Sequence, residues 1–261
     1  MAVAETCLWH ASDWIAWIDR SGDARPDVQR LVDAPLAIRF TGRPPRDLRV
    51  IQKPGRTLLW RNRPDALRRT ARGEVAPEDR RRPAVPAYAL EGEVDDPHGR
   101  YLPRRFALQV GGAGGVSVPV YRAPAGVSYR SAGGLEGRAV FGDGTPAAWA
   151  VLELTVTPPL AGAQPYVTQA DGNGEFRFAL DRLPALTKDA PAREYPASLA
   201  VRASLAAARE WRATGRLADP DALPAATVRN LSDLAIAPGR VACLTSRGSP
   251  DLELETVPPG P

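Results

Sequence analysis

Cysteine, histidine and methionine are all scarce in this sequence of 261 residues, which holds two Cys, two His and one Met. Cys7 and Cys243 lie near opposite ends, so they form no metal-binding or redox spacing. They read as free, buried thiols. His10 lies among tryptophans and reads as a packed side chain. His98 belongs to the run Asp95, Asp96, Pro97, His98, Gly99, which is turn chemistry. Asp95, Asp96 and His98 offer three ligands without the fourth that a closed zinc site takes. No run of about 18 apolar residues occurs, so no segment reads as a membrane-spanning helix. The first residues have neither a basic start nor a long apolar stretch, so they do not read as a secretory signal. The expected location is therefore the cytosol, with any exit by a non-standard route, for instance as part of a particle.

Sequence signatures of catalysis are missing as well. No G-x-S-x-G elbow presents a serine nucleophile. Gly111, Gly112, Gly114 and Gly115 follow a strand-like run, but no Lys-Ser/Thr pair or helical pattern comes after them, so they build no phosphate cradle. Asp171, Gly172, Asn173, Gly174 and Glu175 resemble a calcium loop only at first. The sixth position is Phe176 where such a loop needs Gly, and the twelfth is Arg182 where it needs Glu. Acid pairs for glycoside hydrolysis come from distant positions, and nothing singles one out. The expectation is a non-enzymatic protein with no cofactor and no metal.

What the chain has in abundance is turn formers, 27 Pro and 23 Gly. Proline fits neither helix interiors nor central strands, so this content implies many short elements joined by turns. In the first half, strand patterns run over residues 35–40, 47–51, 57–60, 88–94, 106–110 and 116–121, spaced as in a small β-sandwich. Residues 123–134 are rich in Ala, Gly, Ser and Pro and mark a domain boundary. The second half continues with strands over residues 135–141, 147–156, 166–170, 175–180, 198–205, 231–236, 240–244 and 252–257. Residues 206–211 add a turn or two of helix. The predicted class is all-β, with a Trp-rich segment over residues 1–30, a β-sandwich-like domain over 31–125, and a second sandwich over 133–261.

Two features of the first half bear on partners. Trp9, Trp14 and Trp17 fall within nine residues. Trp14, Trp17 and Ile18 follow helical i, i+3, i+4 spacing, with Ser12 or Asp13 as N-cap and Gly22 as terminator. This segment either packs on the domain behind it or forms an aromatic docking arm, since Trp supplies much interface energy. Residues 39–82 carry fourteen Lys or Arg against five Asp or Glu, a net of +9 in a chain of net +4. The run Arg80, Arg81, Arg82 is the densest part. The stretch reads as a solvated Arg-rich loop, a polyanion-binding surface or an interface with an acidic subunit. Nucleic acid is disfavoured, because only Trp60 supplies an aromatic platform among these arginines. Trp9, Trp14, Trp17, Ile18, Arg80, Arg81 and Arg82 are thus the candidate partner-binding residues.

The second half carries an ordered pattern: Gly137 and Val140, Gly144 and Pro146, Ala150 and Leu152, then Thr168, Asp171, Gly174, Phe176 and Phe178. It resembles the carboxypeptidase-regulatory-like family, of transthyretin-like fold, over about residues 135–257. That resemblance implies a Greek-key, immunoglobulin-like sandwich in a mostly accessory or structural module. Two inserts depart from the family's pattern, over residues 183–196 and 210–226; inserts at a sandwich rim are where partner contacts tend to lie. The first half, and the way the halves join, resembles proteins encoded with phage-tail-like contractile injection particles. This implies a structural or adaptor subunit, at the baseplate or associated with the sheath, with other protein subunits as partners and homo-oligomer formation left open. The alternative is a glycan- or surface-binding module in which exposed Trp60, Trp149 or Trp211 stack on sugars.

Overall fold

A computed structural model describes residues 13–25, 29–61, 87–111, 114–159, 161–181, 183–186, 193–231 and 233–256. Among the described residues, the first half forms nine strands: β1 (Asp13–Asp19), β2 (Gly22–Asp23), β3 (Arg30–Leu31), β4 (Ala37–Phe40), β5 (Leu48–Lys53), β6 (Arg56–Arg61), β7 (Tyr88–Asp95), β8 (Arg104–Val110) and β9 (Gly115–Val120). Each of the six strands expected over residues 35–121 is present, with ends displaced by no more than a few positions.

The N-terminal segment corrects the helical expectation. Residues 13–19 are a strand at the centre of the first sheet. β6 and β3 pair antiparallel along one side of β1, and β9 pairs parallel along the other. Backbone groups on both sides of the segment thus find partners that a lone helical turn could not supply. Ile15 and Trp17 are two residues apart and share the inward face. The i, i+3, i+4 spacing of Trp14, Trp17 and Ile18 was an accident of two apolar doublets, and tertiary pairing overrode it. Gly22 does turn the chain, at φ +84°, but out of a strand rather than a helix.

β4, β7 and β8 make a second, three-stranded sheet. Between the two sheets lies a core of Ile15, Trp17, Val32, Leu36, Leu59, Leu90, Val94, Phe106, Val118 and Val120. Trp17 and Phe106 meet edge to face at 5.7 Å, and Phe40 meets Phe106 at 6.4 Å. The domain reading that set residues 1–30 apart does not hold for the described part: β1 belongs to this core, and β2 crosses into the second module.

That module holds β10 (Gly134–Phe141), β11 (Val151–Val156), β12 (Gln164–Gln169), β13 (Glu175–Ala179), β14 (Tyr195–Arg202), β15 (Ala225–Val228), β16 (Leu234–Ile236), β17 (Val241–Cys243) and β18 (Leu252–Thr256), with helix α1 (Leu205–Thr214). One sheet runs β13-β10-β18-β15-β14-β11-β12-β2, with β16 against β14 and β17 against β10. It curls around a core that includes Phe141, Leu152, Leu154, Tyr166, Phe176, Phe178, Tyr195, Leu252 and Leu254. Together the sheets give the all-β, sandwich-like class expected from the turn-former content. Helix α1 is a run of good helix formers, capped at its start by the Ser204 hydroxyl accepting from the Ala207 N–H, and at its end by Gly215 at φ +70°.

The sequence pattern of the second half has a physical account. Asp171 Oδ1 accepts from the N–H groups of Asn173 and Glu175, and Gly174 takes φ +81°, so this stretch is the hairpin turn that its composition implies. Thr168 Oγ1 donates to the Arg177 carbonyl at 2.7 Å and latches β12 to β13. Gly137 leaves room for the Phe176 ring, which would lie 2.8 Å from a Cβ there. Residues 147–150, expected to be strand, instead form a turn in which Trp149 takes φ +65°.

Phe176 and Phe178 are both buried on one face of β13. Phe178→Ala should cost about 3–5 kcal/mol, the usual range for emptying a buried aromatic position. Urea denaturation checks this, and a loss below about 1 kcal/mol would mean that the site collapses without a cavity.

Candidate functional site

The candidate partner-binding residues separate on inspection. Trp17 is buried at 1% exposure, and its Nε1 donates to Thr57 Oγ1 at 2.8 Å. Ile18 is buried. Trp14 is half-buried, its indole lying over Gly115 on the neighbouring β9, where any Cβ would meet the ring at 2.1 Å. Trp17 therefore packs into the core of its own module and Trp14 against β9, because the period-two alternation of β1 sends Trp17 inward and the β9 pairing covers Trp14. Trp9, Arg80, Arg81 and Arg82 lie outside the described residues.

Burial also corrects two further expectations. Cys243 is exposed, since β17 is a short strand at a sheet margin whose three residues all face solvent. Trp149, expected to be exposed, is buried. Its ring meets Trp211 edge to face at 4.8 Å, so helix α1 covers it. Its Nε1 is buried with no hydrogen-bond partner among the described residues. Arg209 on α1 bonds Asp143 at 2.7 Å and pins the helix over the turn before Thr145. That bond, with the Thr145 N–H, holds the Asp143 carboxyl down to about 2. Trp60 is half-buried and carries Arg49 over its ring at 5.5 Å.

Buried charges gather where the two modules meet. Asp19, at the end of β1, accepts from Tyr101 Oη at 3.1 Å, from Arg122 Nε at 2.9 Å and from the Ser21 N–H at 3.0 Å. Asp96 accepts from the N–H groups of His98, Arg100 and Tyr101, which spends its oxygens on building the turn rather than on a ligand. Arg104 on β8 is 5% exposed. Its Nη1 donates to the Pro119 carbonyl at 2.6 Å, and its Nη2 reaches Asp219 at 3.5 Å and Asp221 more closely. Asp219 caps the short 3-10 turn Pro220–Ala222 and Asp221 lies within it, inside the second insert. That insert thus folds back onto the first module. The carboxylates at this junction hold strands and turns together.

An open depression of about 270 Å³ is lined by Arg30, Arg130, Ser131, Ala132 and Asp181. Among the described residues, no group of three His, Cys, Asp or Glu side chains is placed to hold a metal ion. No helix among them is long and apolar enough to cross a membrane. Among the described residues, the exposed large apolar side chains are Leu31, Val50, Ile51 and Val241. All four sit on strands at a sheet margin, β3, β5 or β17. β5 is the longest of these, with five of its six residues exposed. Sequence reading missed this surface. The adjacent pair Val50 and Ile51 was its signal, because consecutive apolar residues in a strand put one on each face.

No family model, curated protein or solved structure matches this chain.

Two outcomes test the junction. Arg104→Ala should cost about 1–3 kcal/mol, since it strips a buried hydrogen-bonded cation from two partly exposed acids. A urea midpoint within error of the parent would show that the insert does not fasten the modules. Burial and the neighbouring Asp19 charge push the Tyr101 phenol well above its ordinary value. The folded state therefore prefers protonated Tyr101, and that contribution is full below about pH 10 and lost as pH rises beyond it. Tyr121 and Tyr129 are raised in the same direction. The unfolding free energy should fall from pH 9 to about pH 11, and fall less steeply in Tyr101→Phe; equal slopes would count against the Asp19–Tyr101 coupling.

Proposed function

We propose that this protein is a non-enzymatic structural or adaptor subunit of a larger assembly, of the kind found in phage-tail-like contractile injection particles, at the baseplate or associated with the sheath. The observation that carries the reading is the placement of apolar surface. Two cores are joined by buried charge pairs, while the exposed apolar residues Leu31, Val50, Ile51 and Val241 lie along strand margins. Open strand margins are surfaces on which other chains pair. The resemblance of the Gly137-to-Phe178 pattern to the carboxypeptidase-regulatory-like family supports the same role, since that fold serves mostly in accessory modules. On this reading the subunit joins its assembly in the cytosol. The polar clusters give supporting evidence, because Asp19, Asp96 and Arg104 spend their hydrogen bonds on architecture. A glycan-binding role is the competing reading, and it is weakened by the burial of Trp149 and the Arg49 side chain lying over Trp60.

Affinity capture of the tagged protein from its native cell, followed by mass spectrometry, tests the proposal. Sheath, tube or baseplate components should be recovered. Recovery of none, together with tryptophan fluorescence that responds to added oligosaccharides, would replace it with the glycan reading.

A further inference from the structure

The stretch from Arg43 to Arg56 carries charge of nearly one sign. Its five cations, Arg43, Arg46, Arg49, Lys53 and Arg56, are all exposed, and its one acid is Asp47. Both oxygens of Asp47 are spent inside the sheet, where each accepts from Arg61 Nε at 2.9 Å. Arg49, Ile51 and Lys53 share the outer face of β5, since they lie across from Trp60, Leu58 and Arg56, which alternate with the buried Thr57 and Leu59. An exposed apolar side chain thus sits between two cations. The backbone beside them has a definite polarity. Trp17 N–H donates to the Gly55 carbonyl, and β1 pairs Ile15 with Thr57 and Asp13 with Leu59, so Thr57 and Leu59 turn their backbone groups toward β1. Arg56, Leu58 and Trp60 turn theirs toward β5, where they meet Lys53, Ile51 and Arg49. Leu48, Val50 and Gln52 are left with backbone groups pointing away from β6. Among the described residues β5 pairs with no other strand, and only the Leu48 N–H is taken, by the Pro45 carbonyl at 3.0 Å.

We propose that β5 takes an extended acidic segment of a different protein as an added strand. The proposal deepens the assembly reading above, on which it rests, by naming the chemistry of the partner. Charge selects the occupant. A second copy of β5 would bring more cations to a margin that already holds only cations, whereas an acidic strand neutralises them. Backbone stagger sets the pattern the strand must carry. In an antiparallel ladder Val50 and Gln52 become hydrogen-bonded positions, and Arg49, Ile51 and Lys53 become non-hydrogen-bonded ones, where opposed side chains come closest. The segment therefore places Asp or Glu opposite Arg49 and Lys53, and an apolar residue opposite Ile51. Acid, any residue, apolar, any residue, acid is the resulting sequence, and it reads the same in both directions. The free backbone groups favour a peptide over nucleic acid or anionic lipid, because a phosphate diester has no N–H to offer the Val50 and Gln52 carbonyls.

Fluorescence anisotropy of a labelled synthetic peptide built on Glu-Thr-Val-Thr-Glu, titrated with the purified full chain, tests this. Saturable binding is expected, at least about tenfold tighter than for the same residues in the order Glu-Glu-Val-Thr-Thr. Val50→Pro removes an N–H that β6 does not use, at a margin where proline is tolerated. It should weaken binding at least about tenfold while the thermal midpoint stays near the parent's. The double variant Arg49→Glu, Lys53→Glu should lose the acidic peptide and gain its counterpart with Lys in place of Glu. Absence of saturable binding overturns the proposal. So does binding that the reordered peptide matches and Val50→Pro leaves intact, or that a single-stranded oligonucleotide of equal charge displaces more readily than unlabelled peptide; either would make the stretch a general polyanion surface. A dimer of the chain that Val50→Pro dissociates would give the margin to a second copy and overturn it too. Capture of particle components equally by the parent and by Val50→Pro would remove this margin and leave the assembly reading standing. Pattern-specific peptide binding by a chain that captures no particle component would do the reverse.

Discussion

The pairing of β1 on both sides is the constraint on which the rest of this structure depends. A strand of seven residues is clasped by β6 and β3 along one side and by β9 along the other. Its parallel partner is about 100 positions away in the chain, so this contact closes the first module rather than any local hairpin. Once β1 is fixed, Ile15 and Trp17 must point at Phe106 and Leu59, and Asp19 must emerge at the end facing Tyr101 and Arg122. The same strand delivers Gly22 and Asp23 to β12, where the chain adds a last short strand to the other module. One continuous run of residues thus seals one core and caps the other.

The junction built from that crossing is polar, and its chemistry explains why the acids there are structural. Asp19 gathers a phenol, a guanidinium and a backbone N–H, while Arg104 reaches from β8 to a carbonyl and two aspartates of the second insert. A buried charge without partners is costly, and each of these groups is held by others from distant positions. The second insert therefore anchors the modules to each other. Partner contact shifts to the strand margins, where backbone groups and apolar side chains are exposed together.

Much of the strand layout was legible in the sequence because it rests on local signals. The Asp171-to-Gly174 turn is set by a carboxylate that reaches its own backbone and a glycine that tolerates positive φ. The alternation of Phe176 and Phe178, the Ser204 cap and the Gly215 terminator are likewise local. The helical reading of Trp14, Trp17 and Ile18 failed because seven residues with two apolar doublets fit both periods. Trp149 was misplaced for another reason. Whether an indole is covered depends on a helix more than 50 positions later, and nothing near Trp149 announces it. Cys243 was read as buried from residue type, but β17 lies at a margin, and only the pairing order shows that.

The sequence by itself determined the all-β class, the turn positions and the inward face of strands such as β13, because propensity, turn chemistry and period-two alternation act over a few residues. Only the tertiary structure decided that β1 is a central strand, that the second insert clasps the first module, and that β5 ends its sheet with an open margin. Those outcomes depend on which distant strands meet, and long-range pairing is chosen by the whole set of backbone partners rather than by any one segment.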